Sequence, residues 1–200
     1  MRAAKLAAAA AALKRQSESA APFALAFVTD AERAPDPLLV ARVLPKGAAI
    51  ILRDYRAPNR AALAAQLKSI CDARGLKLLI GADLALAESI GADGVHLPRW
   101  HEPERAFPGA MIVSASCHNA RELAQANAMG ADVALLSPVF PTGSHPGKAG
   151  LGAEKFLALA ATSPLPVLAL GGVDETNAAS LVGPNVAGIA AISAFLDGTR

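Results

Sequence analysis

Aromatic residues, cysteines and charged residues are all scarce in this sequence of 200 residues. Aromatic residues make up 4% and charged residues 18%, and the formal net charge is +2. The charges are scattered, which excludes the basic patch typical of proteins that bind nucleic acids or anionic membranes. The two cysteines, Cys71 and Cys117, lie far apart without CxxC spacing, which argues against a disulfide framework. We therefore expect a cytoplasmic protein with a small-molecule partner and no nucleic-acid or membrane partner; a homo-oligomer is left open.

Long apolar runs are also missing, and the nearest approach is an alanine-rich segment at the N-terminus. Arg2 and Lys5 precede this run, which copies the order of a secretory signal. Alanine favours helices, and Lys14 and Arg15 interrupt the run. We predict an extra helix in residues 1–21, with a secretory signal as the alternative.

Short apolar runs of strand length alternate with helix-like stretches through the rest of the chain. This alternation predicts a parallel sheet with crossover helices. The predicted strands are Phe23–Thr29, Ala48–Arg53, Leu76–Ile80, Gly94–Leu97, Met111–Ala115, Val133–Leu136, Val167–Leu170 and Gly188–Ala191. Eight strands favour closure, so we predict an α/β fold in which residues 22–200 form a single-domain (β/α)8 TIM barrel.

Polar caps and glycines mark the ends of several predicted helices. We expect Asn59, Asn119 and Asp174 to cap helices at their N-termini. Gly75 and Gly130 are expected to end two of these helices.

A phosphate-binding rim is predicted where the seventh and eighth strands end. Gly171 and Gly172 follow the seventh strand, and Ser193 follows the eighth, just before a predicted short helix at Ala194–Asp197. Glycines allow backbone N–H groups to approach a phosphate closely, and these two loops are neighbours in a barrel. The alternative is that the two glycines merely form a tight turn. The long loop Pro138–Gly152 leaves the same face.

Several short motifs together resemble the thiamin phosphate synthase and TenI superfamily of small barrels. They are Val28-Thr-Asp30, Gly91-Ala-Asp-Gly-Val-His-Leu97, Ser116-Cys-His118, Gly130-Ala-Asp132, Ser137-Pro-Val-Phe-Pro-Thr142, Leu170-Gly-Gly-Val173 and Ile192-Ser193. The resemblance implies a cradle for a thiazole phosphate. Synthase members join this phosphate to an aminopyrimidine diphosphate with magnesium, whereas TenI-type members tautomerise a thiazole carboxylate phosphate with a histidine.

The half of the site that would hold a diphosphate departs from the synthase pattern. Ile51 and Tyr55 stand where a synthase has glutamine and lysine around Arg53, and Gly81 and Ala82 stand where it has Asn-Asp. Magnesium needs hard oxygen ligands, and these positions no longer provide them. The resemblance is therefore closer to the TenI-like branch. No metal or cofactor is expected, and magnesium would be needed only if the protein is a synthase.

One histidine is the candidate catalytic residue. His118 follows the fifth strand and matches the TenI-type histidine, and imidazole can shuttle protons near neutral pH. Its alternative is a loop histidine bonded to the backbone. The candidate phosphate- or substrate-binding residues are Gly171, Gly172, Ser193, Thr142, Ser144, Ser116 and Arg53. Arg53 either holds an anionic group of the substrate or pairs with Asp30 or Asp54.

Neighbouring residues of similar chemistry are expected to be structural. We predict that Cys117 is a packed side chain rather than a nucleophile and that His96 is a satisfied structural histidine. His101, Glu102 and His145 match no metal-ligand spacing.

Three functions remain open from the sequence. The first is a TenI-like thiazole tautomerase or a degenerate synthase homologue that binds thiazole phosphate. The second is a thiamin phosphate synthase, and the third is a non-catalytic binder of a thiamin-pathway phosphate.

Overall fold

Eight parallel strands close into a barrel in chain order, each hydrogen-bonded to the next and the last to the first. The computed structural model describes residues 2–100, 103, 106–142 and 149–195. The strands are β1 (Leu25–Val28), β2 (Ala49–Leu52), β3 (Lys77–Gly81), β4 (Gly94–Leu97), β5 (Ile112–Cys117), β6 (Val133–Leu136), β7 (Val167–Leu170) and β8 (Val186–Ala191). The helices are α1 (Arg2–Gln16), α2 (Pro37–Val43), α3 (Arg60–Arg74), α4 (Leu84–Ser89), α5 (Ala120–Ala128) and α6 (Gly152–Ala161), and a 3-10 helix spans Ala178–Leu181. The predicted (β/α)8 barrel is confirmed.

The strand predictions differ from the structure mainly at their ends. β4, β6 and β7 have the predicted bounds, whereas β5 continues to Cys117 and β8 begins at Val186. The extra residues of β5 and β8 are apolar or small and pair with neighbouring strands. The bounds of these two strands therefore depend on tertiary pairing and not on the local sequence pattern.

The cap predictions also have mixed outcomes. The Asn119 side chain accepts a hydrogen bond from the Glu122 backbone N–H, and Gly75 ends α3 in the left-handed conformation, both as predicted. Asn59 is the N-cap residue of α3, as predicted, but its side chain makes no capping hydrogen bond. Asp174 accepts from the N–H groups of Thr176 and Asn177, yet only a 3-10 helix follows, because the carboxylate closes a local turn instead.

Alternation along the strands divides the core into two parts. Strand residues such as Phe27 and Ile50 cluster with helix residues, so they lie between the strands and the helices. Ala49, Leu79 and Leu135 belong to a second cluster without helix residues, which is the barrel interior. Residues one position apart therefore face opposite sides of the barrel wall.

The N-terminal helix is part of the outer layer of the barrel. α1 packs against β8, β1 and the 3-10 helix, and its Leu6, Ala10 and Leu13 are buried. Arg2 contacts Glu175 beyond the end of β7, whereas Lys14 donates to the carbonyl of Ala21 just before β1. α1 thus runs antiparallel to the strands and begins at the face where they end.

A short helix was predicted at Ala194–Asp197, after the last strand. The structure has a turn at residues 194 and 195, and residues 196 and 197 lie outside the described part.

Candidate active site

A cavity of about 460 Å³ opens at the carboxyl ends of the strands. It collects the predicted site residues that the structure describes: Arg53, Ser116, His118, Thr142, Gly171, Gly172 and Ser193. Ser144 lies outside the described residues. These residues lie at the strand ends of β2, β5, β6, β7 and β8 or in the loops that follow them. The closed barrel therefore brings together residues that are distant in sequence.

The two rim glycines have a structural reason to be glycine. Gly171 and Gly172 have φ values of 93° and 68°, and a Cβ on Gly172 would lie 2.6 Å from the carbonyl oxygen of Pro141. The loop after β6 therefore packs directly on the rim, and this close approach requires glycine whether or not a phosphate binds. The sequence alternative of a tight turn and the phosphate cradle are thus compatible at these positions.

His118 is held by one carboxylate through two hydrogen bonds. Its backbone N–H and its ring Nδ1 both lie 2.8 Å from Oε2 of Glu122. Burial raises the pKa of Glu122, but hydrogen bonds from His118 and the charge of that ring outweigh this effect and hold the pKa below its ordinary value. An ionised carboxylate can only accept hydrogen bonds, so Nδ1 of His118 donates the proton of this bond, and the other ring nitrogen, Nε2, takes no part in it.

A carboxylate at the end of β1 binds two arginines of the cavity wall. Oδ2 of Asp30 accepts from the guanidinium groups of Arg33 and Arg53. Burial raises the pKa of Asp30, but the hydrogen bonds and charges of these arginines bring it below the ordinary value. The predicted pairing of Arg53 with Asp30 is therefore present, whereas the Asp54 side chain accepts from the Ala31 N–H. Arg53 lines the cavity while bound to Asp30.

His96 lies inside the barrel between two serines, as expected of a structural histidine. Nδ1 is 2.9 Å from Oγ of Ser114, and Nε2 is 2.9 Å from Oγ of Ser116. Burial, and secondarily the charge of Arg53, lowers the pKa of His96 to about 3. The ring is therefore neutral, and it orients Ser116 at the floor of the cavity.

Cys117 follows Ser116 on β5, and its side chain faces the opposite side of the barrel wall. It is buried among residues that lie between the strands and the helices, and burial raises its pKa to about 12. The prediction of a packed residue is confirmed.

The region where a synthase would hold diphosphate and magnesium is built differently here. Cε1 of Tyr55 lies 2.9 Å from the position of a Cβ on Gly81, so a side chain at Gly81 would meet the tyrosine ring. Asp83, the nearest carboxylate in this loop, caps α4 through the Leu86 N–H and pairs with Arg60. The described residues here do not fit a magnesium site.

No group of three or more metal-ligating side chains occurs among the residues that the structure describes. His101, Glu102 and His145, the three residues considered in the sequence, lie outside that part. Trp100 is two-thirds exposed and packs edge-to-face on Tyr55, with ring centroids 5.4 Å apart.

Sequence reasoning missed several residues of the site, among them Glu122, Arg33 and Arg2. Glu122 is the third residue of the helix that Asn119 caps, and a glutamate at this position reaches back to the backbone just before the helix, so the capping spacing could have indicated its contact with His118. Arg33 follows Asp30 by three residues in one loop. Arg2 also lines the cavity, and no local pattern links it to a rim more than 160 residues later in the chain.

Comparison with known proteins gives the family. The family model described as Thiamine monophosphate synthase matches residues 25–195. The chain belongs to the thiamine monophosphate synthase family. It is 38% identical over 180 residues to the Thiamine-phosphate synthase of Chlorobium luteolum, covering 85% of this chain and 84% of that relative.

A second relative and one solved structure are also similar to this chain. The chain is 32% identical over 144 residues to the Thiamine biosynthesis bifunctional protein ThiED of Geobacter sulfurreducens; the match covers 69% of this chain and spans only 29% of that relative. The solved structure of Thiamine phosphate pyrophosphorylase from Pyrococcus furiosus has the same fold, with a TM-score of 0.70, 23% identity, and coverage of 88% and 89% of the two chains.

The names of these relatives agree better with the synthase alternative than with the tautomerase prediction. Neither the family model nor the relatives separates a TenI-like branch from the synthases. In the described part of the chain, no helix has the length and apolar character needed to span a bilayer.

Proposed function

We propose that the cavity binds a thiazole phosphate and that His118 acts as acid and base in tautomerising a thiazole carboxylate phosphate. The observation that carries this proposal is the pair of bonds from His118 to Glu122. These bonds fix the ring and leave Nε2, which has no hydrogen-bond partner among the described residues, as the atom that exchanges protons with a ligand.

The charges of the cavity wall support a ligand with two anionic groups. The glycine rim and Ser193 would bind the phosphate, and Arg33 and Arg53 supply positive charge on the same cavity. Guanidinium groups bind carboxylates in a bidentate manner, which suits the carboxylate of this substrate. The reaction itself needs no co-reactant, because the proton removed from one atom of the ligand returns to another.

The decisive experiment compares turnover with binding. His118→Asn should reduce conversion of thiazole carboxylate phosphate by about 10²- to 10⁴-fold. Its Kd for thiazole phosphate should stay close to that of the wild type, because the phosphate is bound elsewhere. Glu122→Gln should reduce turnover less, since the ring keeps its place but loses the carboxylate.

The control is Arg121→Ala, which changes an exposed residue of α5, the helix that contains Glu122. This variant should turn over like the wild type. Normal conversion by His118→Asn would overturn the proposed mechanism.

The second candidate is a thiamin phosphate synthase, and the names of the relatives favour it. It would need magnesium and cations for a diphosphate. Arg53 lies in the cavity and Arg99 is exposed near Glu122, whereas His145 and Lys148 lie outside the described residues. Pyrophosphate release from thiazole phosphate and aminopyrimidine diphosphate with magnesium would establish this activity.

The same assays address the non-catalytic alternative. Binding of thiazole phosphate with no turnover of either substrate set would support a binder that delivers the phosphate to a partner. We keep the cytoplasm as the proposed location, which the two free cysteines support.

A further inference from the structure

The first residue of α1 reaches the rim that the proposed function assigns to phosphate. Arg2 lines the same cavity as Gly172 and Ser193. Its position follows from the fold: α1 packs between the barrel and solvent beside β8 and starts at the face where the strands end. Arg2 thus projects from the outer layer onto the loop that follows β7.

A contact with Glu175 holds Arg2 at this loop. Nε of Arg2 lies 3.4 Å from Oε2 of Glu175, and Glu175 follows Gly172 by three residues. The Arg2 side chain is only 18% exposed, so it is partly desolvated where it meets the cavity. Both partners are therefore fixed near the proposed phosphate position.

The chemistry of the guanidinium group suits this position. It has five N–H donors in a planar fork, and the bond to Glu175 engages only Nε. The terminal nitrogens can donate to two oxygens of one phosphate, a geometry that strengthens binding and fixes orientation. Backbone N–H groups of a glycine rim do not supply a full positive charge, and an arginine does.

We propose that Arg2 is a further ligand of the phosphate group, brought to the rim by α1 and positioned by Glu175. This inference rests on the proposed phosphate site at Gly171, Gly172 and Ser193. It adds a residue from outside the strand-end loops and links docking of α1 to occupation of the cavity.

Arg2 could instead serve only to fasten α1 to the loop through Glu175, and one variant separates the two roles. Glu175→Ala removes the acceptor of the Arg2 hydrogen bond together with a negative charge beside the phosphate. If Arg2 binds phosphate, Glu175→Ala should weaken phosphate binding less than Arg2→Ala does, because the guanidinium group is still present. If Arg2 is only a tether, the two variants should weaken phosphate binding equally.

The test measures the Kd of inorganic phosphate and of thiazole phosphate by calorimetry at constant ionic strength. Arg2→Ala should raise both values by about tenfold, since a charge-assisted hydrogen bond is lost. Arg2→Lys should give an intermediate value, because it keeps the charge but loses the fork. The matched control is Lys5→Ala, which removes the same charge from an exposed position of the same helix and should leave Kd unchanged.

Two results separate failure of this inference from failure of the phosphate site. If the wild type binds phosphate and Arg2→Ala binds like Lys5→Ala, the Arg2 assignment is wrong and the rim stands. If the wild type binds neither probe, the phosphate site itself is wrong. Circular dichroism of each variant checks that α1 and the barrel remain folded.

Discussion

The ring of Tyr55 lies over Gly81, with Cε1 only 2.9 Å from the place that a Cβ on Gly81 would occupy. The backbone carbonyl oxygen of Leu52 lies at the same distance from that place. The end of β3 is therefore closed to a side chain from two sides, one of them rigid backbone. Gly81 stands where the family resemblance leads us to expect the asparagine of an Asn-Asp pair, and a polar side chain at Gly81 has no space.

Gly81→Ala should therefore destabilise the protein. The added methyl group forces a shift of Tyr55 and of the backbone at Leu52, and overpacking of this kind costs about 1–3 kcal/mol. Denaturant unfolding measures the change. Gly109→Ala is the matched control, since a Cβ there meets no atom within 4 Å and should change stability little. Equal effects of the two substitutions would contradict the packing at Gly81.

The buried His96 should make stability depend on pH. Burial and the charge of Arg53 place its folded pKa near 3, below the ordinary value of 6.5. As the pH falls below 6.5, the unfolded chain binds a proton that the folded chain excludes, so stability is lost between that pH and the folded pKa. In this range the free energy of unfolding of the wild type should fall by up to about 1.4 kcal/mol more per pH unit than that of His96→Gln.

Chemical unfolding of both proteins at pH 7, 6 and 5 measures this difference. At pH 7 the variant should be less stable, because Ser114 and Ser116 lose their common partner. Parallel pH profiles for the two proteins would show that His96 does not exclude the proton.

Both thiols should be unreactive in the folded protein. Cys71 and Cys117 are buried, and burial raises the pKa of each to about 12. Since the thiolate is the reactive form, an aromatic disulfide reagent at pH 8 should label neither cysteine in native buffer and both in denaturant. Rapid labelling of Cys117 in native buffer would reopen its role as a nucleophile.

Leu6→Ala should show that α1 is part of the barrel's stability. Leu6 is fully buried against the outer face of the barrel, and loss of such a side chain costs about 2–5 kcal/mol. Leu39→Ala, at a helix position that is half exposed, should stay within about 0.5 kcal/mol of the wild type. If the two variants unfold at the same denaturant concentration, α1 does not contribute to the core.

Much of the fold and part of the site followed from local sequence patterns. Apolar runs such as Val133–Leu136 are strands because apolar side chains with β-branched residues fit both faces of a barrel wall. Glycine at Gly171 and Gly172 and a histidine after the fifth strand indicated where the cavity lies, because strand ends share one face of the barrel. The contact of His118 with Glu122 was also within reach of the sequence, since Asn119 and Glu122 have the spacing of a capping box, in which the glutamate reaches back to the start of the helix.

Other features depended on contacts that no local pattern encodes. Arg2 meets Glu175, which lies 173 residues later in the chain, because α1 packs beside β8 on the closed barrel. Tyr55 excludes a side chain at Gly81 because β2 and β3 are neighbours with their ends aligned. The sequence by itself determined the number of strands and the place of the rim, since both follow from short periodic patterns. Only the tertiary structure decided which charges surround the rim and which positions have room for a side chain, because these depend on distances across the barrel.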